Sequence, residues 1–144
     1  MGIIGYRRPE LLATPEWLAE NIARPGFQVL DVRWRPDGSG RRVYAAGHIP
    51  GATYLDWRAD LVEPEEDSDV PLLAGPQRVT EALRRAGLGN GMSGVSYDDT
   101  GSSYAARTWW SLRVYGFDSA RILMGGLEAW RALSQPVSAA VEVD

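Results

Sequence analysis

The chain has no cysteine and no lysine among its 144 residues, and only one histidine. The first absence removes disulfides, thiolate zinc clusters and any thiolate nucleophile. The second removes Schiff-base chemistry. All fifteen basic residues are arginine, against nineteen acids and a formal charge of −4. No basic stripe emerges, which disfavours nucleic acid as a partner. No apolar run reaches the roughly 18 residues that a membrane helix needs, so no membrane partner is expected. The opening "MGIIGYRRPELL" lacks the basic start, apolar centre and small-residue cleavage site of a secretory signal. A cytoplasmic protein is expected, and the arginine, alanine and glycine bias points to a GC-rich bacterial genome.

What remains is ordinary globular composition, 44% hydrophobic and 24% charged, in a length suited to one domain with a core of its own. The first clear element is a helix over residues 15–23, announced by Thr14 at the N-cap, Pro15 at the first helical position and Glu16 at the positive end of the dipole. "FQVLDVR", Phe27 to Arg33, is β-rich and too short for a helix, which predicts a buried strand. A helical turn around residues 43–46 and a short strand "TYLD" follow. The stretch from Trp57 to Gly75, with its acidic run "VEPEEDSDVP", has little periodicity and is expected to be a solvated surface loop. Val79, Leu83 and Leu88 fall on one side of a helix that Gly87 helps to end. "GVSYD" predicts a third strand, "SSYAARTWWSLRVYGF" a helix beginning near Ser103, "ARILMGG" a fourth strand and "LEAWRAL" a closing helix. Alternating strands and helices imply a central, mainly parallel sheet covered on both faces, a three-layer α/β/α domain.

"VSYDDTGSSY" carries the sharpest question. Asp99-Thr100-Gly101-Ser102 resembles the signature of pepsin-like and retroviral aspartic proteases, which need two carboxylates sharing a proton. One copy is present, so a homodimer would have to supply the second. The residues after the loop have helical rather than strand spacing, which disfavours that reading. Between a parallel strand and a helix, the same loop is an anion cradle of backbone N–H groups at a helix N-terminus.

In order and spacing, "LATPEWLAE", "VLDVRW", "YAAGHIPGATYLD", "VSYDDTGSSYAARTWWSLRVYGF" and "ILMGGLEAW" resemble the rhodanese-like sulfurtransferases. Tyr97-Asp98-Asp99 with Ala105-Ala106-Arg107 and Trp109-Trp110 is most similar to the amino-terminal, non-catalytic half of two-domain thiosulfate or mercaptopyruvate sulfurtransferases. The resemblance implies a rhodanese-like domain over residues 1–134, with 135–144 as a tail or the start of an inter-domain connector. It places Asp98 where active members carry the cysteine that takes up sulfane sulfur as a persulfide. No catalytic residue, cofactor or metal is therefore expected. The loop Asp98, Asp99, Thr100, Gly101, Ser102 and Ser103 keeps the form of an active site without its nucleophile.

Four residues are expected to be structural. His48 is the only histidine and the natural candidate for a general base, but within "GHIPGA" it is read as tying a turn to neighbouring backbone or to Asp31. Asp31 and Arg33 are read as a charge-assisted pair. Arg107, followed by Trp109 and Trp110, is read as packing in preference to binding an anion. Trp34 matches a tryptophan that in two-domain relatives lines the other half's catalytic pocket, whereas serine at 103 departs from the bulky apolar residue common there. The expected partner is a Cys-bearing rhodanese domain or a second copy of the chain. Two functions stay open: a silent structural or binding module, and a contribution in trans to a partner's sulfurtransferase activity.

Overall fold

A computed structural model describes residues 11–62, 75–89, 91–117 and 119–139. Five strands form one parallel sheet in the order β1-β5-β4-β2-β3: β1 Leu12–Ala13, β2 Phe27–Asp31, β3 Thr53–Tyr54, β4 Ser93–Tyr97 and β5 Arg121–Leu123. Six helices accompany them: α1 Pro15–Asn21, α2 Gly40–Ala46, α3 Trp57–Asp60, α4 Pro76–Arg85, α5 Ser103–Val114 and α6 Gly126–Ala132. None of them is long and apolar enough to cross a membrane.

The two-residue period of a strand sends neighbouring side chains to opposite faces, and both faces are filled. Leu30 points into a cluster with Leu83 of α4 and Leu112 of α5. Its neighbour Val29 and the β4 residues Val95 and Tyr97 point into a second cluster with Leu18 of α1, Tyr44 of α2 and Trp130 of α6. The expected three layers are thus present, and every ladder among the described strands is parallel.

Several expectations about elements need correction. Helix α1 stops at Asn21, and β2 stops at Asp31, because Arg33 turns its backbone N–H and guanidinium back onto the Asp31 carboxylate. Leu88 is buried, but it lies beyond the end of α4, where Gly87 takes φ +86°. Helix α2 begins at Gly40, earlier than expected, where a Cβ would overlap the Tyr54 hydroxyl and the Arg33 carbonyl. The stretch after Trp57 opens with α3, whose N-terminal amides at Arg58 and Ala59 are capped by Asp56. The rest of that expected loop, residues 63–74, lies outside the described residues. β1 had no recognisable pattern, since two residues cannot display a period.

The chain leaves β2 for β3 on one side and returns to β4 on the other. Ligand crevices in open parallel sheets lie at such a reversal, outside the carboxyl ends of the strands. Trp34 follows β2 there, and Asp98 follows β4. After α6 the chain turns back: Trp130 Nε1 donates to the Pro136 carbonyl at 2.8 Å, and Ser138 exchanges backbone hydrogen bonds with His48 at 2.8 and 2.9 Å.

Candidate active-site loop

The side chain of Asp98 decides the character of the loop after β4. It is 1% exposed. One carboxylate oxygen accepts from the backbone N–H of Thr100 at 3.0 Å and of Ser102 at 2.8 Å; the other accepts from Tyr104 at 2.9 Å and Ala105 at 2.8 Å. Left-handed turns at Gly101, φ +74°, and Ser102, φ +72°, bend the chain so that these amides converge. Of the donors free at the start of α5, those of Ser102, Tyr104 and Ala105 are thereby satisfied from within. The cradle exists, and its anion is Asp98.

The backbone of the same residue serves a second helix. Its carbonyl accepts from the Leu127 N–H in the first turn of α6, at 3.2 Å. Gly125 and Gly126 carry φ +76° and +61° to make the approach, and a Cβ on Gly126 would overlap that carbonyl oxygen. The sequence reading missed this contact, although the signal was present in "GGL", two glycines immediately before a helix. A shallow pocket of about 350 Å³ opens above, lined by Asp98, Asp99 and Glu128 with glycines of both turns. Its charged lining among the described residues is all acidic, a poor setting for an incoming anion.

Asp99 points the other way. It is exposed and forms a bidentate pair with Arg35, at 2.5 and 3.1 Å. That hydrogen bonding raises the Arg35 pKa above its ordinary value. The pair ties the loop after β2 to the loop after β4. Asp99 thus sits in a parallel α/β domain beside an arginine, a setting that gives no support to a protease dyad. Thr100 and Ser103 bring their hydroxyls to 3.4 Å from each other at the surface.

Trp34 is half-buried between the two loops and packs edge-on against Trp57 and Tyr104, with ring centroids 5.8 Å away in each case. Trp57 and Tyr104 are themselves stacked at 5.6 Å. The Arg107 guanidinium lies over Trp57 at 5.9 Å and over Trp110 at 5.6 Å, inside this aromatic group.

Beneath the loop, Asp31, Arg33 and Tyr97 form a buried network. Arg33 grips the Asp31 carboxylate at 2.6 to 3.1 Å and donates to the Gly47 carbonyl at 2.6 Å. Tyr97 donates its hydroxyl to Asp31 at 2.6 Å and accepts from the Ile49 N–H at 3.1 Å. Burial lowers the Arg33 pKa, but its hydrogen bonds and attraction to Asp31 outweigh this and the net shift is upward. Burial, the Asp31 charge and the bond to Asp31 all push the Tyr97 phenol far up. The "GHIPG" turn is therefore fastened by Arg33 and Tyr97. His48 reaches the Tyr44 carbonyl through Nδ1 at 2.8 Å and stacks on the Tyr44 ring at 4.0 Å; of the two anchors expected for it, it uses backbone and not Asp31.

Comparison with known proteins fits this geometry. The family model for the rhodanese-like domain matches residues 14–133. The chain is 35% identical over 123 residues to a 3-mercaptopyruvate sulfurtransferase of Escherichia coli (strain K12), covering 81% of the chain and 42% of that protein. It is 33% identical over 138 residues to the thiosulfate sulfurtransferase of Bos taurus, covering 88% and 45%. Among solved structures, SseA, a 3-mercaptopyruvate sulfotransferase with the rhodanese fold from Escherichia coli, superposes with a TM-score of 0.80 at 32% identity, covering 92% of the chain and 52% of its own. A 3-mercaptopyruvate sulfurtransferase from Leishmania major gives 0.81 at 22% identity, covering 96% and 39%, a likeness of fold. The chain spans less than half the length of these curated relatives.

Proposed function

Because the chain belongs to the rhodanese-like domain family, we propose that it is a sulfurtransferase-related module that does not carry sulfur itself and acts as a structural or binding unit for a Cys-bearing rhodanese domain or for a second copy of itself. One observation carries the reading: the buried Asp98 carboxylate takes four amide hydrogen bonds at the mouth of α5. A carboxylate oxygen cannot form the sulfur–sulfur bond of a persulfide, and no cysteine elsewhere in the sequence could. An anionic sulfur donor would also meet Asp98, Asp99 and Glu128 at the pocket, an unfavourable field. The proposal places the chain as the counterpart of the non-catalytic half of longer relatives, in a bacterial cytoplasm. Purified protein is expected to transfer sulfur from thiosulfate to cyanide at the no-protein rate, and transfer well above that rate would overturn the reading.

Trp34 supports a second reading, contribution in trans. It is half-exposed beside the Asp98 loop and held by Trp57 and Tyr104, so an aromatic edge is offered to whatever docks there. On this reading, adding the chain to a Cys-bearing rhodanese domain raises that domain's turnover, and Trp34→Ala removes the gain. An unchanged rate for every such domain tested leaves the silent module.

A further inference from the structure

The opposite end of the sheet has the reverse electrostatic character. A pocket of about 330 Å³ lies there between the end of α1 and the starts of β2, β4 and β5. Its only charged lining residues among those described are Arg24 and Arg121, with the hydroxyls of Ser93 and Ser119 beside them. Two positive charges with no carboxylate in the described lining stand out in a chain of net charge −4.

Arg121 is held in place. Its Nη1 donates to the Leu12 carbonyl at 3.0 Å, and its guanidinium lies 4.5 Å over the ring of Trp17, which packs edge-on against Phe27 at 5.8 Å. Among the described residues its Nε and Nη2 have no hydrogen-bond partner. Arg24 spends Nη1 on Asn21 at 2.8 Å and is otherwise exposed. A guanidinium fixed by stacking loses little further freedom when its remaining N–H groups meet an acceptor, and aromatic walls lower the local dielectric, which strengthens the attraction.

We infer that this pocket binds a small oxyanion, a phosphate- or carboxylate-type group, gripped by Arg24 and Arg121 and completed by the hydroxyls of Ser93 and Ser119. Such a site is separate from the Asp98 loop and independent of whether that loop is silent.

The test is a titration of the purified chain with sodium phosphate and, separately, sodium acetate, against sodium chloride at matched ionic strength. It is followed by 1H–15N NMR at the Trp17 indole and the Gly26 and Phe27 amides. Saturable shifts with either oxyanion but not with chloride are expected; the phosphate and acetate arms show whether a tetrahedral or a planar group is preferred. Losing one charge-assisted contact should weaken binding about tenfold or more. Arg24→Gln, an exposed substitution that spares the Leu12 contact, is therefore expected to raise the apparent Kd by that factor, and the Arg24→Gln/Arg121→Gln pair to abolish saturation. Shifts that never saturate, that chloride reproduces, or that persist with an unchanged Kd in Arg24→Gln would overturn the inference.

Discussion

A carboxylate at position 98 replaces repulsion with cohesion. Two charges of like sign would conflict in this loop, but Asp98 faces inward to four amides while Asp99 faces outward to Arg35. Hydrogen bonds to a charged group contribute about 1.5–3 kcal/mol each, and a buried donor left without a partner costs about 1–3 kcal/mol. Such contributions do not add, and freed amides at a helix mouth regain water, so Asp98→Ala is expected to lower the unfolding free energy in urea by about 3–5 kcal/mol, and Asp98→Asn by about 2 kcal/mol, because one amide nitrogen then confronts N–H donors. Asp99→Asn breaks a surface pair and should cost under about 1 kcal/mol; equal losses at the two positions would contradict the geometry. The phenols make a second residue-level prediction. Burial, followed by Asp56 and Asp31, pushes Tyr54 up to about 12, and Tyr97 is shifted well above its ordinary value. The unfolded chain releases these protons near pH 10, whereas the folded chain keeps them, so the unfolded state binds fewer protons above that point. Their contribution is complete below about pH 10 and declines as the pH rises beyond it, by up to about 1.4 kcal/mol per unit for Tyr97. Tyr97→Phe is expected to flatten that alkaline slope in urea melts from pH 9 to 12; an unaltered slope would count against a retained phenol proton.

Helices α5 and α6 are joined at their N-termini through one residue, by its carboxylate and its carbonyl. Gly126 permits the join. A Cβ there would overlap the Asp98 carbonyl and would hold φ at +61°, a region non-glycine residues avoid. Gly126→Ala should cost more than about 2 kcal/mol, read as a fall in melting temperature, whereas Gly101→Ala, with open space around its Cβ, loses only the conformational part. The elements most legible in the sequence were those with chemical punctuation. Thr14 and Pro15 mark α1, and the Thr14 side chain does accept from the Trp17 N–H at 3.0 Å. Asp56 carried an equal signal for α3 that went unread, because the polar sequence after it suggested a loop throughout. The turn between β4 and α5 was legible in "VSYDDTGSSY", an apolar run followed by Gly and Ser. The inward turn of the Asp98 side chain was not, because that depends on left-handed geometry at Ser102, which no residue pattern announces.

At the scale of the molecule, two pockets at opposite ends of the sheet differ in the sign of their charged lining among the described residues. Acidic residues line the pocket at the carboxyl ends of the strands, and arginines line the one at their starts. The layered fold was readable from the alternation of strands and helices, whereas this polarity was not, since Arg24 and Arg121 are brought together only when α1 and β5 lie side by side. The C-terminal segment also belongs to the folded body as far as Ser138. Trp130 bonds Pro136, Val137 packs with the second core cluster, and Ser138 pairs with His48. Ending the chain after Ser134 removes three hydrogen bonds at about 0.5–1.5 kcal/mol each along with the Val137 contact. A loss of about 2–4 kcal/mol is expected, together with faster hydrogen exchange at the His48 amide, and unchanged exchange there would show that the segment does not hold the turn. The double use of Asp98 also limits what can replace it. A substitution to cysteine at that position would offer one sulfur to four amides that now share two oxygens, so its first effect is a weakened fold. Such a keystone resists exchange: a residue that clamps two helices through its carboxylate and its carbonyl ties its own replacement to coordinated changes at the amides it serves.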